Sequence, residues 1–175
     1  MMKFKEELED IRPKGNVTMT ITDKRDGSIV DTFEDHNIVV LDARKILIKL
    51  IYEGLTNYYV NVAKIGSDVG DGNEDDPEEP DENVVASDMN VLYTITDEIS
   101  VSYSGDLLTV YNIFISGEDV MDQYPGEDSV FFTSIGLFSD NDILFSYRRF
   151  PARTITENFN VNIIWEIFYP GGQEE

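Results

Sequence analysis

The chain has 175 residues, no cysteine and one histidine, and its 35 acidic against 13 basic side chains give a formal net charge of −22. This composition excludes disulfide frameworks, thiolate nucleophiles, zinc fingers, iron–sulfur clusters and multi-histidine metal sites within one chain. The charge argues against nucleic acid and anionic membranes as partners, because both are bound through Lys and Arg.

The first 14 residues are highly charged and have only a weak helical spacing, which ends at Pro13. We therefore predict a charged N-terminal arm at 1–14, and no secretory signal, since no hydrophobic run follows the charges. Apolar residues then alternate with threonines over 17–22, the pattern of a half-buried strand. Gly27 marks a turn into a second strand at 28–34, which predicts a hairpin.

One segment has the period of an α-helix. Its apolar residues recur at intervals of three and four: Ala43, Ile46, Leu47, Leu50 and Ile51. Asp42 is the expected N-cap, and Gly54 is the expected C-terminal stop. The sequence therefore predicts one helix over roughly 42–53.

The rest of the chain has the patterns of β-strands separated by turns. Runs rich in apolar, β-branched and aromatic residues predict further strands at 59–65, 91–96, 99–104, 107–115, 130–138, 143–150 and 158–167. Eight or nine short strands with one helix predict a mainly β fold, namely an antiparallel β-sandwich with the helix packed on it. We expect a single domain over 15–169, followed by a flexible tail at 170–175.

The excess negative charge is concentrated in the middle of the sequence. Residues 65–147 contain 20 acids and no Lys or Arg, and nine of these acids fall within 68–82. A segment with one apolar residue and strong self-repulsion cannot bury enough surface to fold by itself. We therefore predict a solvated acidic loop at 67–83.

The acidic segment has part of the pattern of a calcium-binding loop. An EF-hand register starting at Asp71 would place Asn73, Asp75 and Glu82 at ligand positions. Asp76 stands where the sharp turn of such a loop needs glycine, and no helices flank the segment. The sequence therefore predicts a solvated loop here and no metal site.

Candidate catalytic residues are few. His36, the single histidine, lies in a turn-like stretch without a Gly-x-Ser-x-Gly elbow, which favours a structural or solvent-facing role. The glycine-rich stretch at 66–72 is surrounded by acids and would repel a phosphate group. We therefore predict that the protein is not an enzyme, with no catalytic, cofactor-binding or metal-ligating residue and no small-molecule substrate.

Two further side-chain groups bear on binding. Arg148, Arg149 and Arg153 form the only basic cluster in the second half of the chain, and we predict that they pair with acids within the chain or between subunits. Nine tyrosines and Trp165 could stack on sugars, and paired carboxylates could hydrolyse glycosides. Because Trp165 lies on the apolar face of its strand, burial is the better prediction for it.

Several short apolar motifs follow one another along the chain. They are Asn37-Ile38-Val39-Val40, the helix with Ala43-Arg44 and Leu47-Ile48, Ala63-Lys64-Ile65-Gly66, Ile135-Gly136-Leu137-Phe138, Ile143-Leu144-Phe145-Ser146-Tyr147-Arg148 and Ile163-Ile164-Trp165-Glu166-Ile167-Phe168. Their order over 15–169 resembles that of small virion structural proteins of tailed bacteriophages, in particular accessory proteins of tails and baseplates. The acidic run at 74–82, and Ser134-Ile135 where the pattern has an acid, depart from that family.

The resemblance implies a non-enzymatic virion protein, made in the host cytoplasm and assembled through contacts with other virion proteins in multiple copies. A tail or baseplate component is the first expectation, and a head decoration or head–tail connector protein is the alternative within the same class. A carbohydrate-binding β-sandwich module is the alternative from another class. No cofactor, nucleic acid, membrane or small-molecule partner is expected. The negative charge would keep unassembled copies apart.

Overall fold

Nine antiparallel β-strands make up most of the protein in the computed structural model, which describes residues 13–55, 58–67, 83–105 and 108–169. They are β1 (Lys14–Asp23), β2 (Ile29–Val39), β3 (Val60–Gly66), β4 (Val91–Ile95), β5 (Ile99–Ser104), β6 (Leu108–Ser116), β7 (Val130–Ser139), β8 (Leu144–Ile155) and β9 (Phe159–Phe168). They form one sheet in the order β4-β3-β7-β8-β2-β1-β9-β6-β5, which nearly closes into a barrel-like shape. The prediction of a mainly β fold is confirmed.

The alternation that predicted the strands is realised in the packing. In β1, Val17, Met19 and Ile21 are buried, while the threonines between them face outward and are half-buried. Successive side chains of a strand point to opposite faces, so the apolar set lies inside the curved sheet. β9 lies beside β1 and adds Ile163 and Trp165 to the same core.

The predicted sandwich is not supported, because a hydrogen-bonded junction joins the two halves of the sheet. β2 pairs with β8 through Ile38 opposite Tyr147 and Val39 opposite Ser146. A sandwich would have two separate sheets facing each other. Here the four strands β4-β3-β7-β8 continue into the five strands β2-β1-β9-β6-β5 as one sheet. Its two edge strands, β4 and β5, follow each other directly in the sequence.

The predicted helix is present as α1 (Ala43–Tyr52), and Ala43 and Ile46 are buried in the main core. Gly54 ends it with a φ of +64°, a conformation that glycine adopts without strain, and the Leu55 N–H donates to the Lys49 carbonyl at 3.1 Å. Asp42 precedes the helix without a capping hydrogen bond and forms an ion pair with Lys45 at 2.8 Å.

A second helix, α2 (Gly117–Met121), was not predicted from the sequence. Ser116 is its N-cap, since its hydroxyl oxygen accepts from the Asp119 N–H at 3.5 Å. Val120 is fully buried in the main core and anchors the helix there. A five-residue helix with one anchoring side chain has too little periodicity to stand out between strands.

A second, smaller core lies on the opposite face of β7 and β8 from the main core. Neighbouring residues of these strands belong to different cores, since Leu137 and Phe145 face the main core while Phe138 and Leu144 face the smaller one. Met89 and the preceding segment 84–86 cover the smaller core. Burial on both faces explains why β7 reads as a nearly continuous apolar run.

The predicted arm, loop and tail lie largely outside the described residues. Of the arm at 1–14, only Pro13 and Lys14 are described, and Lys14 begins β1. Of the acidic loop at 67–83, only Ser67 and Asn83 are described, so the rejected calcium positions also fall outside. The tail at 170–175 lies outside as well.

The turn between β1 and β2 is held by Asp23. Its carboxylate accepts hydrogen bonds from the Arg25 backbone N–H and from Arg25 Nε, both at 2.9 Å. Its backbone carbonyl accepts from the N–H of Gly27, which has a φ of +74°. The hydrogen bonds from the Arg25 side chain and backbone lower the pKa of Asp23 to about 2.

We expect Asp23 to contribute to stability in a defined pH window. Since its pKa is lower in the folded protein than the usual value of about 3.9, the contribution is present above about pH 4 and is lost as the pH falls towards 2. The stability difference between the wild type and Asp23→Asn should therefore shrink over this range in urea unfolding. In an Arg25→Ala background the same substitution should show much weaker pH dependence. An equal pH dependence in both backgrounds would contradict the assignment.

Candidate assembly surface

The outer surface of β2, β1, β9, β6 and β5 carries few charged side chains. We call it the polar face, and it consists of Asn16, Thr18, Thr20, Thr22, Thr32, Glu34, His36, Ser100, Ser102, Val110, Asn112, Phe114, Asn160, Asn162, Ile164 and Glu166. Two of these sixteen residues are acidic, and Lys14, at the first position of β1, is exposed on the same side, whereas 27% of the whole chain is charged. The polar face is therefore depleted in charge relative to the rest of a strongly acidic protein.

The pairing register sets the polar face in rows that cross the strands. Asn162 of β9 lies between Thr20 of β1 and Phe114 of β6. In the next row, Ile164 lies between Thr18 and Asn112. Hydroxyl and amide side chains can both donate and accept hydrogen bonds. The rows thus present uncharged hydrogen-bonding groups around an exposed apolar centre.

The apolar centre of the polar face consists of Ile164, which is 45% exposed, and Phe114, which is 36% exposed. Both side chains point away from the core, because their strand neighbours Ile163 and Ile115 are buried. Interfaces between proteins are depleted in charge at their centres and enriched in aromatic residues. The low charge of the polar face and the Phe114 ring at its apolar centre match that pattern.

His36 lies on the border of the polar face. Its side chain is exposed, and Nδ1 is 2.8 Å from the Asn16 side-chain oxygen on the neighbouring strand. Asn37, the next residue, points inward and donates to the backbone carbonyls of Asn16 and Glu166 at 3.2 and 3.3 Å. The turn-like stretch predicted around His36 in fact lies within β2.

Ion pairs bridge β2 and β8 where their backbone pairing ends. Arg148 is 7% exposed and pairs with Asp35, and Arg153 Nε lies 2.8 Å from Asp31 Oδ2. We call these four residues the arginine seam. The predicted pairing within the chain is confirmed for Arg148 and Arg153, so neither is available as an anion-binding group.

Aromatic packing reinforces the arginine seam. Phe33 lies between Asp31 and Asp35 in the sequence. The centroid of its ring is 5.4 Å from that of the Phe150 ring. The Arg153 guanidinium lies 5.8 Å from the Phe33 centroid, within cation–π range. Side chains rather than backbone hydrogen bonds therefore connect this part of the two strands.

Trp165 is fully buried and its Nε1 donates to the Ser146 hydroxyl at 3.3 Å, so its predicted burial is confirmed. Tyr111 and Tyr147 are also buried. Tyr103 and Tyr59 are exposed, and they lie in β5 and in the segment before β3, respectively. Stacking on a sugar needs exposed rings, so Trp165 cannot take part in carbohydrate binding.

A cleft of about 170 Å³ lies between β4 and the end of β6. Asp97, Glu98 and Asp119 line it together with Tyr93. Burial raises the pKa of Tyr93, and the nearby carboxylates of Asp119 and Glu98 raise it further. Within the described part of the chain, no group of three or more His, Cys, Asp or Glu could hold a metal ion. Across the same residues, no helix is long and apolar enough to span a membrane.

No family model, curated protein or solved structure matches this chain. The polar face is the feature of the described residues that best fits a binding role. The sequence pattern contained part of its signal, the alternating threonines of β1 and asparagines of β9. It did not show that these strands are neighbours.

Proposed function

We propose that the protein is a non-enzymatic structural component of a tailed-bacteriophage virion, most simply of the tail or baseplate. It would assemble in multiple copies through contacts with other virion proteins. The observation that carries the assembly role is the polar face, a charge-depleted surface on a chain with a net charge of −22. The virion assignment rests on the order of sequence motifs.

The contrast between the polar face and the total charge supports an assembly role. Copies that carry a large like charge repel each other and stay soluble before assembly. A surface with few charges can be buried against a partner without the desolvation cost of carboxylates. Its hydroxyl and amide groups can be satisfied by partner groups, which gives the contact direction and register.

The motifs behind the resemblance form the framework under the polar face. Asn37 joins β2 to β1 and β9 through its two hydrogen bonds, and Trp165 fills the core directly beneath the face. Ile135 and Leu137 are fully buried on the other side of the main core. The resemblance therefore concerns residues that hold the sheet, while the binding role is assigned to its outer side.

Fractionation of virions tests the proposed location. Particles of the phage that encodes the protein would be separated into heads and tails, and the protein would be quantified in each fraction by mass spectrometry. We expect it in tails at a constant ratio to the tail tube protein. Its presence in heads alone would favour the decoration or connector alternative, and its absence from particles would refute a virion role.

A paired lysine substitution tests the role of the polar face. Thr20→Lys with Asn162→Lys places two positive charges opposite each other in the register of β1 and β9. We expect incorporation into particles to fall at least tenfold. Like charges directly opposite each other on neighbouring strands lower stability somewhat, so incorporation is compared at a temperature where the variant is fully folded.

The matched control for this variant is Asn61→Lys with Thr94→Lys. Both side chains are exposed on β3 and β4, outside the polar face. It adds the same charge and should be incorporated like the wild type. Equal loss of incorporation in both variants would mean that added charge, rather than the polar face, is responsible.

A further inference from the structure

β5 is an edge strand of the described sheet. It ends the strand order and pairs along its length with β6 only, from Ile99 opposite Ile113 to Ser104 opposite Leu108. Among the described residues, no other strand is hydrogen-bonded to it. The unpaired N–H and C=O groups of such an edge are a template for pairing with another chain.

The other edge strand, β4, is contacted by the loop after α2. The Tyr124 hydroxyl, from the loop after α2, donates to the Leu92 carbonyl at 2.8 Å. Tyr124 also packs against the main core, which fixes this loop over the strand. The two edges of the sheet therefore differ, because among the described residues a loop contacts the β4 edge and no strand pairs with the outer side of β5.

β5 also lacks the features by which proteins protect an edge. Its sequence, Ile99-Ser100-Val101-Ser102-Tyr103-Ser104, has no charge and no proline. Val101 and Tyr103 point to the core side of the sheet, since they lie opposite the buried Tyr111 and Thr109, yet they are 37% and 76% exposed. Exposure increases along the strand, from the half-buried Ile99 to the largely exposed Tyr103.

We propose that β5 pairs antiparallel with β5 of a second copy across a two-fold axis at Ser102. Residues directly opposite in an antiparallel pair share a face of the sheet, so the axis must pass through a residue position. An axis at Ser102 sets Val101 opposite Tyr103 of the partner subunit and Ser100 opposite Ser104 of the partner subunit. This register covers the exposed apolar side chains of both copies.

The charge distribution favours a second copy as the occupant. Two chains of −22 repel, so they can approach closely only where neither carries charge, and 99–104 is such a segment. The alternation of serine with apolar residues makes the strand complementary to itself. A pairing of about five residues buries less surface than a stable dimer needs, so the contact is weak in solution and gains strength in a multi-copy assembly.

The absence of cysteine makes a direct test possible, because an introduced cysteine has no competing thiol in the chain. Ser102→Cys would be oxidised with diamide at about 100 μM protein and resolved by non-reducing electrophoresis. Opposite residues in antiparallel strands lie about 4.5–5.5 Å apart at Cα, which suits a disulfide. We expect most of the S102C protein to become a covalent dimer.

The neighbouring serines on the same face serve as controls. Ser100→Cys and Ser104→Cys should each stay largely monomeric, since each cysteine lies roughly 14 Å from its own copy in this register. A mixture of S100C and S104C should give the heterodimer. Equal dimer formation by all three variants, or none by S102C, would overturn the proposal, and a heterologous partner strand would likewise leave S102C monomeric.

A second variant distinguishes a disulfide formed by specific strand pairing from one formed by random collision of two molecules. Val101→Lys with Tyr103→Lys in the S102C background sets lysines opposite lysines across the axis, and disulfide formation should fall at least fivefold. Unchanged Trp165 fluorescence would show that the fold is kept. The proposal extends the assembly role but is tested on purified protein. A negative result in the virion fractionation would therefore not contradict pairing through β5. A negative result in the disulfide test would not contradict the binding role of the polar face.

Discussion

Trp165→Ala is expected to lower the free energy of unfolding by about 3–5 kcal/mol. The side chain is fully buried at the centre of the main core, where Val17 of β1 and Tyr111 of β6 lie directly opposite it in the sheet. The substitution removes the largest buried side chain and its hydrogen bond to Ser146. Urea unfolding followed by far-UV circular dichroism measures the loss, since the variant has no tryptophan left.

Two variants control this prediction. Trp165→Phe keeps an aromatic ring in the same place and should lose less stability than the alanine variant. Ile164→Ala changes the neighbouring residue, which points outward on the polar face, and should change stability by no more than about 0.5 kcal/mol. If I164A were as destabilising as W165A, the assignment of Trp165 to the inner side of β9 and Ile164 to its outer side would be wrong.

Asp35→Ala is expected to destabilise the protein by about 2 kcal/mol. The substitution leaves the Arg148 guanidinium in the arginine seam without its carboxylate, and an unpaired buried charge is costly. The Asp35 side chain is 31% exposed, so water reaches the site and the loss stays below that of a fully buried pair. Chemical denaturation at neutral pH measures it.

The other ion pair of the arginine seam is the matched control. The side chains of Arg153 and Asp31 are more exposed than those of Arg148 and Asp35, so Asp31→Ala should cost about 1 kcal/mol or less. Asp35→Ala combined with Arg148→Met should recover part of the stability lost by the single variant. A larger effect for D31A than for D35A would show that burial does not govern this seam.

The local elements of the fold could be predicted from the sequence because their signals are local. Alternation along 17–22 and 158–167 gave β1 and β9, and the three-and-four spacing with Gly54 gave α1. The burial of Trp165 followed from the apolar face of its strand. The charge balance predicted the pairing of Arg148 and Arg153 with acids, although not which acids.

The arrangement of the sheet could not be predicted, because it depends on contacts between distant residues. The junction of β2 and β8 brings Ile38 within hydrogen-bonding distance of Ser146, 108 positions away, and nothing local marks that pair. The single sheet in place of a sandwich follows from this junction. The polar face has the same origin, since the threonines of β1 and asparagines of β9 become one surface only when the strands are adjacent.

The shortness of the backbone junction between β2 and β8 means that side chains do most of the joining of the two halves of the sheet. All five strands of the polar face belong to one half, and two residue pairs and the hydrogen bond from the Val40 N–H to the Phe145 carbonyl link that half to β8. The main core contains side chains of both halves, among them Trp165 of β9 and Phe145 of β8. Because such cores are close-packed, side-chain packing rather than backbone pairing sets the angle between the polar face and the rest of the subunit.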